Sequence, residues 1–105
     1  MPEYTSIKEE VIKKLRENIP EIRERFEIET IGIFGSVARG EDTPDSDVDV
    51  AYTYQEKRQC GMFRTVELID YLENLFGRKV DLVSITWMKP YLRAYVEPDM
   101  ILVTA

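Results

Sequence analysis

The stretch "GSVARGEDTPDSDVDV", residues 35–50, decides how this sequence is interpreted. Apolar runs flank it on both sides, and glycine, proline and aspartate are frequent in the loop between them. In a strand, Val48 and Val50 lie on one face, and Asp47 and Asp49 lie on the other. Three hypotheses explain such a pair of aspartates: a calcium loop, a polar turn before an edge strand, or a catalytic metal site.

The calcium-loop hypothesis fails at one position. Counted from Asp45, an EF-hand loop has carboxylates at its first, third and fifth positions, and Glu56 stands at its twelfth. Its sixth position is Val50, where the sharp turn of the loop requires glycine. The segment that follows, "AYTY", is typical of a strand, so we expect no calcium loop here.

The polar-turn hypothesis explains only part of the stretch. Aspartate is common in turns because its side chain bonds the local backbone, which accounts for Asp42 and Asp45. Two like charges on one strand face lie roughly 7 Å apart and repel each other. Asp47 and Asp49 are therefore poorly explained unless a cation compensates them. On the pattern alone, this hypothesis stays open.

The metal-site hypothesis gives both strand aspartates a role. Asp47 and Asp49 can bind one or two Mg²⁺ ions, which stabilise the attacking and leaving oxygens of a phosphoryl displacement. A third carboxylate, Asp81, lies in the strand-like segment "KVDLVS". It can complete the metal site, or it can accept the proton of an attacking hydroxyl.

The residues at the start of the stretch suit an anion. Gly35 lets the backbone approach a phosphate closely, and Ser36 offers a hydroxyl and backbone N–H groups at a predicted helix start. Arg39 can pair with a phosphate through a forked contact. Arg78 and Lys79, shortly before the third carboxylate, can steer a nucleotide into the site or only offset its acidity.

The composition restricts any metal site to oxygen ligands. The 105 residues include no histidine and one cysteine, Cys60, which excludes an intrachain disulfide, histidine–cysteine zinc sites and Ser-His-Asp catalysis. The net charge of −6 disfavours direct binding of nucleic acid, which needs a basic face. We find no membrane-spanning run and no signal peptide, so we expect a cytoplasmic protein without a membrane partner. The length predicts one domain, residues 1–105.

Helix and strand patterns alternate along the chain. A capping box of Ser6 and Glu9 precedes a helical apolar repeat, which we expect Pro20 to interrupt. A short helical turn is predicted from Ser36 to Gly40, and another helix begins near Pro90. Strands are predicted within "IETIGIFGS", "DVDVAYTY", "RKVDLVSI" and "DMILVT". The order predicts an α/β (α+β) fold, in which a small mixed four-stranded sheet has helices packed on it.

A longer helix is predicted between the second and third strands. It runs from about Gln59 to Phe76, and Gly77 is a natural stop. Five apolar residues recur at helical spacing and form its predicted buried face: Met62, Val66, Ile69, Leu72 and Phe76.

Three aromatic residues, Trp87, Tyr91 and Tyr95, recur at a spacing of four near the C-terminus. Such a stripe packs against the core, contacts a partner protein or stacks on a base. We favour the core or a partner, because helical stripes usually serve packing.

Gly35-Ser36, ten further residues and then Asp47-Val48-Asp49 resemble the G-S-x10-D-x-D signature of nucleotidyltransferases. The whole stretch is similar to that of the minimal nucleotidyltransferases, a compact branch of the DNA polymerase beta superfamily. Asp81 matches the third carboxylate of that family. The motifs cover roughly half of the chain. The resemblance implies the polymerase beta-like nucleotidyltransferase fold.

The resemblance also implies an activity and a partner. Members of the family bind ATP with Mg²⁺ and can transfer AMP to a hydroxyl. Many are antitoxins that modify a tyrosine of a helical HEPN ribonuclease toxin and so block it. By position, Ser36 would contact the triphosphate, Asp47 and Asp49 would bind two Mg²⁺ ions, and Asp81 would help to bind metal and activate the acceptor. All four residues are present, which indicates an active enzyme.

Two alternatives stay open. An antitoxin can neutralise its partner by complex formation alone, with the nucleotide site serving only stability or assembly. Asp81→Asn separates this alternative from the enzyme, because transfer should collapse while the complex survives. A transferase for a small-molecule acceptor such as an aminoglycoside usually needs an added domain to hold it, and 105 residues leave little room for one.

Overall fold

The computed structural model describes residues 3–55 and 62–104, apart from the side chains of residues 62 and 63. Helices and strands alternate along the chain, as the sequence pattern predicts. In order, they are α1 (Lys8–Phe26), β1 (Ile28–Phe34), α2 (Gly35–Arg39), β2 (Val48–Tyr54), α3 (Met62–Phe76), β3 (Val80–Ser84), α4 (Pro90–Val96), a 3-10 turn (Glu97–Asp99) and β4 (Ile101–Leu102).

The four strands form one sheet in the order β3-β2-β1-β4. β2 and β3 run parallel, whereas β1 pairs antiparallel with both β2 and β4. A parallel pair needs a long crossover connection, and α3 lies in that connection here. The predicted mixed four-stranded sheet with helices packed on it is therefore confirmed.

The two faces of the sheet carry different side chains. Val48 and Val50 of β2 are fully buried, in a cluster with apolar residues of α1 and α3. Ala51 belongs to a smaller cluster that includes Val96 of α4. Because side chains alternate along a strand, Asp49 projects to the same face as Ala51. The apolar core therefore fixes which way this aspartate points.

α1 continues through Pro20, contrary to the prediction that the proline interrupts it. Leu15, Ile22 and Phe26 are fully buried and lie along one side of the helix, before and after the proline. A proline in a helix interior removes one N–H donor and costs about 3 kcal/mol. Burial of this continuous apolar face outweighs that cost, while Pro20 itself is exposed.

The start of α1 differs from the predicted capping box. Ile7, and not Ser6, stands at the N-cap position, and no side chain of the cap residue bonds the helix. The Ser6 hydroxyl donates to Asp42, and the Ile7 backbone N–H donates to Oδ2 of Asp42 at 3.2 Å. A carboxylate from a distant loop thus binds the helix start, which a local capping pattern does not reveal.

α3 buries a face that only partly matches the prediction. Leu72 and Phe76 are buried as predicted, and Gly77 follows the helix with a φ of +69°. Val66, however, is 57% exposed, and Leu68 takes its place in the core. Leu68, Leu72 and Phe76 follow one another at intervals of four, so they form one continuous stripe that Val66 does not share.

Some sequence predictions concern residues outside the described ranges. Cys60, Glu56 and the proposed start of α3 near Gln59 are among them. Within the ranges that the structure does describe, no helix has both the length and the apolar composition needed to cross a bilayer.

Candidate active site

The predicted carboxylates meet at one end of the sheet. Phe34, the last residue of β1, pairs with Asp49 near the start of β2, and Asp49 pairs with Asp81 near the start of β3. Neighbouring strands lie about 4.8 Å apart, so Asp49 and Asp81 are adjacent on the sheet. Asp47 directly precedes β2 and, like Asp81, is exposed. The sheet register thus brings Asp81 beside Asp49, from which it is 32 positions away in the sequence, and Asp47 lies two residues before Asp49.

Gly35 forms the junction between β1 and α2, directly beside Asp49. Its φ is +73°, in the left-handed region that favours glycine. A Cβ atom at this position would lie 2.2 Å from Oδ2 of Asp49. The chain therefore requires glycine here for two reasons, the backbone conformation and the contact with the carboxylate.

The Asp49 carboxyl is partly buried and lies in the electric field of the Asp47 and Asp81 carboxylates. Burial raises the pKa of Asp49, and the negative charges of Asp81 and Asp47 raise it further, to about 6. The positive charge of Arg39 acts in the opposite direction. Interacting carboxylates with a raised pKa are typical of functional sites.

The donor chemistry of this site fits Mg²⁺. Asp47, Asp49 and Asp81 offer only carboxylate oxygens, the ligands that Mg²⁺ prefers, and their mutual repulsion is the kind that a bound cation relieves. Among the residues that the structure describes, no group of three or more metal-binding side chains is already gathered around one point. The site therefore has suitable ligands but not a closed cage.

Arg39 lies at the end of α2 and contacts two carboxylates. Its Nε donates to Glu41 at 2.6 Å, and its Nη1 donates to Asp99 at 2.8 Å. Asp99 lies in the 3-10 turn before β4, so this ion pair links the C-terminal part of the fold to α2. Ser36 directly follows Gly35 in the first turn of α2 and is partly exposed. The three predicted anion-binding residues thus all belong to α2.

Sequence analysis missed the role of Asp42, which it interpreted as an ordinary turn residue. Asp42 is only 6% exposed. Its carboxylate accepts hydrogen bonds from the Tyr4 hydroxyl at 2.5 Å, from the Ser6 hydroxyl and from the Ile7 N–H. Burial raises the pKa of Asp42, but these hydrogen bonds outweigh burial and hold the pKa below its usual value. Nothing in the local sequence distinguishes Asp42 from Asp45.

Arg78 makes contacts that the sequence did not indicate, and its predicted role of steering a nucleotide or offsetting acidity stays a prediction. Its guanidinium donates from Nη1 to the backbone carbonyls of Thr43 and Ser46, both at 3.0 Å. Its Nη2 donates to the Tyr4 hydroxyl at 2.7 Å. Arg78 therefore binds the loop that leads to Asp47, and the only cue in the sequence is its position just before β3.

The geometry excludes the calcium loop and the packing of the aromatic residues against the core. β2 runs through Val50, which is fully buried and paired with Ile33, so the turn that a calcium loop needs at this position does not exist. The aromatic stripe does not pack against the core, because Trp87, Tyr91 and Tyr95 are 78%, 75% and 69% exposed. The core half of that prediction is wrong, and contact with a partner stays a prediction.

Comparison with known proteins identifies the family. The sequence profile of the nucleotidyltransferase domain matches residues 9–103, a range that contains all three carboxylates and the glycine beside them. The chain belongs to the nucleotidyltransferase family. This nucleotidyltransferase is 42% identical to protein adenylyltransferase MntA of Thermococcus cleftensis, over 77% of its own length and 80% of the relative's.

Solved structures support the same assignment. The nucleotidyltransferase is 35% identical to a structure described as a minimal nucleotidyltransferase, with a TM-score of 0.70, over 88% of this chain and 92% of that one. A toxin–antitoxin structure with AMP-PNP is 26% identical, with a TM-score of 0.65, over 91% of this chain and 71% of that one. The predicted polymerase beta-like fold and the assignment as an enzyme of the minimal nucleotidyltransferase group are thus confirmed.

Proposed function

We propose that this enzyme is a Mg²⁺-dependent protein adenylyltransferase that transfers AMP from ATP to a hydroxyl of a partner toxin. The observation that carries the proposal is the pairing of Asp49 with Asp81 on adjacent strands, with Asp47 and the backbone of Gly35 beside them. Three interacting carboxylates next to a close backbone approach suit a metal–nucleotide complex better than any other ligand class.

The reaction is a displacement at the α-phosphorus of ATP. The acceptor oxygen forms a bond to the α-phosphorus, the bond from that phosphorus to the α–β bridging oxygen breaks, and pyrophosphate leaves. Asp81 accepts the proton of the acceptor hydroxyl, because it is exposed at the strand start where an acceptor can approach. Bound Mg²⁺ ions, one or two, would stabilise the charge on the attacking and leaving oxygens.

The remaining site residues hold the nucleotide. Asp47 and Asp49 would be the principal metal ligands. Burial and then the negative charges of Asp81 and Asp47 raise the pKa of Asp49, and a bound metal would neutralise those charges. Ser36 and the backbone at Gly35 would bind the phosphates. Arg39 would exchange part of its contact with Glu41 and Asp99 for a phosphate oxygen, because all three are charge-assisted contacts of the same kind.

The acceptor is proposed to be a tyrosine of a HEPN toxin, with the enzyme acting in the cytoplasm as the antitoxin. Two observations support this proposal: the similarity to an MntA adenylyltransferase and the similarity to a toxin–antitoxin structure that contains AMP-PNP. The exposed aromatic side chains of Trp87, in the turn before α4, and of Tyr91 and Tyr95, on α4, support a protein partner of some kind.

Two other functions remain as alternatives. A binding-only antitoxin would keep its complex and its protective effect in cells after the loss of catalysis. A small-molecule transferase would label no protein. Asp81→Asn decides the first alternative, since the substitution removes one negative charge at an exposed position and leaves the apolar core intact.

The experiment uses ATP labelled at the α-phosphate, Mg²⁺ and a lysate of the source organism. We expect label on one protein band with wild type, little or none with Asp47→Asn and Asp81→Asn, and undiminished labelling with Asp45→Asn. Asp45 is a matched control because it is an exposed aspartate of the same loop. Label from γ-labelled ATP on the same band, which appears with wild type and is absent from the lysate alone, would indicate a kinase and contradict the proposal. Labelling that survives Asp81→Asn would contradict the role given to that residue.

A further inference from the structure

Arg78 connects the two segments that carry the outer carboxylates of the site. It lies between α3 and β3, three residues before Asp81, and reaches the loop before β2. One of its terminal nitrogens, Nη1, donates to the carbonyl oxygens of Thr43 and Ser46 at 3.0 Å each. Ser46 is the residue directly before Asp47, so Arg78 holds the peptide group from which Asp47 extends.

The neighbouring backbone holds the other side of Asp47. The Val48 N–H donates to the carbonyl oxygen of Lys79 at 2.8 Å. The residues on both sides of Asp47 are therefore bound by the two consecutive residues Arg78 and Lys79. The Asp47 side chain is exposed, so it takes its direction from this backbone and not from packing.

The loop itself is a compact turn that Arg78 completes. The Ser46 N–H donates to the Thr43 carbonyl at 3.0 Å, and the Thr43 N–H donates to the Ser46 hydroxyl at 2.8 Å. The Thr43 carbonyl therefore accepts from Ser46 and from Arg78 together. Removal of Arg78 would leave the internal bonds of the turn in place, and the bond from the Val48 N–H to the Lys79 carbonyl would still join the residues around Asp47 to the segment before β3.

A second anchor fixes the guanidinium. Its Nη2 donates to the Tyr4 hydroxyl at 2.7 Å, and this hydroxyl donates to the buried carboxylate of Asp42 at 2.5 Å. Asp42 also binds the start of α1 through the Ile7 N–H. The loop before β2 is thus held between the N-terminal segment and the segment before β3.

We propose that Arg78 is a positioning residue for nucleotidyl transfer, which acts by fixing the Asp47 carboxylate relative to Asp49 and Asp81. The inference rests on the proposed function, because it assigns a metal to these carboxylates. Two carbonyl oxygens and a hydroxyl accept from one planar guanidinium, and the compact ammonium of lysine does not reproduce that forked geometry. Groups that orient metal ligands typically change metal affinity by about 10- to 100-fold when they are removed.

The test compares wild type with Arg78→Lys, which keeps the charge, and with Tyr4→Phe, which removes the hydroxyl that links Arg78 to Asp42. Arg16→Lys is the matched control, because Arg16 is an exposed arginine of α1. Three quantities are measured: Mn²⁺ affinity by electron paramagnetic resonance without nucleotide, hydrogen exchange of the bonded Ser46 and Val48 amides by NMR, and the Mg²⁺ concentration for half-maximal AMP transfer.

We expect Arg78→Lys to weaken Mn²⁺ binding about tenfold, to accelerate exchange of the Ser46 and Val48 amides, and to raise the half-maximal Mg²⁺ concentration in parallel. Tyr4→Phe should change the same quantities in the same direction by a smaller factor, and Arg16→Lys should change none. Excess Mg²⁺ should restore most of the transfer rate of Arg78→Lys. A lowered melting temperature with unchanged Mn²⁺ affinity and Mg²⁺ dependence would show a purely structural role and overturn the inference.

The outcomes also separate this inference from the proposed function. If wild type binds Mn²⁺ but labels no protein with AMP, the proposed function fails, and the Mn²⁺ and exchange measurements still test Arg78. If wild type transfers AMP and Arg78→Lys does so with the same Mg²⁺ dependence, the proposed function stands and the role of Arg78 is overturned.

Discussion

The Cα of Gly35 lies so close to the carboxylate of Asp49 that an added Cβ would stand 2.2 Å from its Oδ2. The last residue of β1 and the second residue of β2 are paired across the sheet, and the turn into α2 begins at this point. Because of this contact, the start of α2 cannot move independently of the Asp49 carboxylate. Whatever binds the carboxylate is therefore also next to the backbone that we propose to contact phosphate.

Gly35→Ala should abolish AMP transfer. The substitution forces a methyl group onto Asp49 and places alanine at a φ of +73°, a conformation that alone costs about 1–2 kcal/mol. Gly77→Ala is the matched control: its φ is +69°, but a Cβ there meets no atom within 4 Å. Gly77→Ala should be destabilised by a similar amount and should keep its AMP transfer activity. Equal activity of the two variants would contradict the role of the Gly35–Asp49 contact.

Asp49→Asn should stabilise the metal-free protein near neutral pH while it abolishes activity. Because the folded pKa of about 6 lies above the ordinary 3.8, the folded state binds more protons between these values, and stability falls as pH rises through this window. For a partly solvated group we expect about 1–2 kcal/mol at pH 7.5 in EDTA.

Urea denaturation at pH 4 and pH 7.5 checks this expectation for Asp49. The gain in the free energy of unfolding of Asp49→Asn over wild type should be present at pH 7.5 and nearly absent at pH 4. Mg²⁺ with a nucleotide should reduce the gain at pH 7.5. Asp45→Asn, in the exposed part of the same loop, should show neither effect. A destabilised Asp49→Asn variant at pH 7.5 would contradict the cost that we assign to burying the charged Asp49 carboxylate beside Asp81 and Asp47.

Asp42→Ala should destabilise the fold by about 2–3 kcal/mol, since it leaves two hydroxyls and the Ile7 N–H without their acceptor. The folded pKa of Asp42 is lowered, so its contribution is present above the ordinary value of 3.8 and is lost as the pH falls below it. Denaturation at pH 7 and pH 3 should therefore show a smaller difference from wild type at pH 3. Asp45→Ala should have little effect at either pH, and equal losses in both variants would count against the buried network.

Arg39→Met should raise KM for ATP about tenfold, the order expected for one charge-assisted hydrogen bond to phosphate. Stability should change little, because the ion pairs of Arg39 with Glu41 and Asp99 are at the surface. Steady-state kinetics and a thermal melt measure the two quantities, with Arg16→Met as the control. An unchanged KM would mean that Arg39 serves only the link to Asp99.

The sequence was sufficient for the parts of the site that depend on strand alternation and motif spacing. Val48 and Val50 had to be buried, so Asp49 had to lie on the other face, and the spacing from Gly35 identified the family. The same reasoning was wrong at Pro20 and Val66. Both errors have one physical cause. Packing against the rest of the fold overrides local preferences, and a local sequence pattern does not show which side of a helix the sheet and the other helices will cover.

The contacts that sequence reasoning missed join loop segments, which carry no helical or strand periodicity. Asp42 and Arg78 both lie in loops, where an aspartate or an arginine can serve many different roles. Their function follows from the approach of the N-terminal segment and the segment before β3 to one loop. Such contacts join residues far apart in the chain, and no periodicity encodes them.

The parallel pairing of β2 and β3 has a consequence for the order of folding. β1 and β2 are close in sequence and can pair early, whereas Asp81 reaches Asp49 only after the α3 crossover has closed. A chain emerging from the ribosome can thus pair β1 with β2 before Asp81 joins Asp49 in the candidate active site. Catalytic competence would then appear only after the α3 crossover has closed, and the rate at which activity appears would report on that closure.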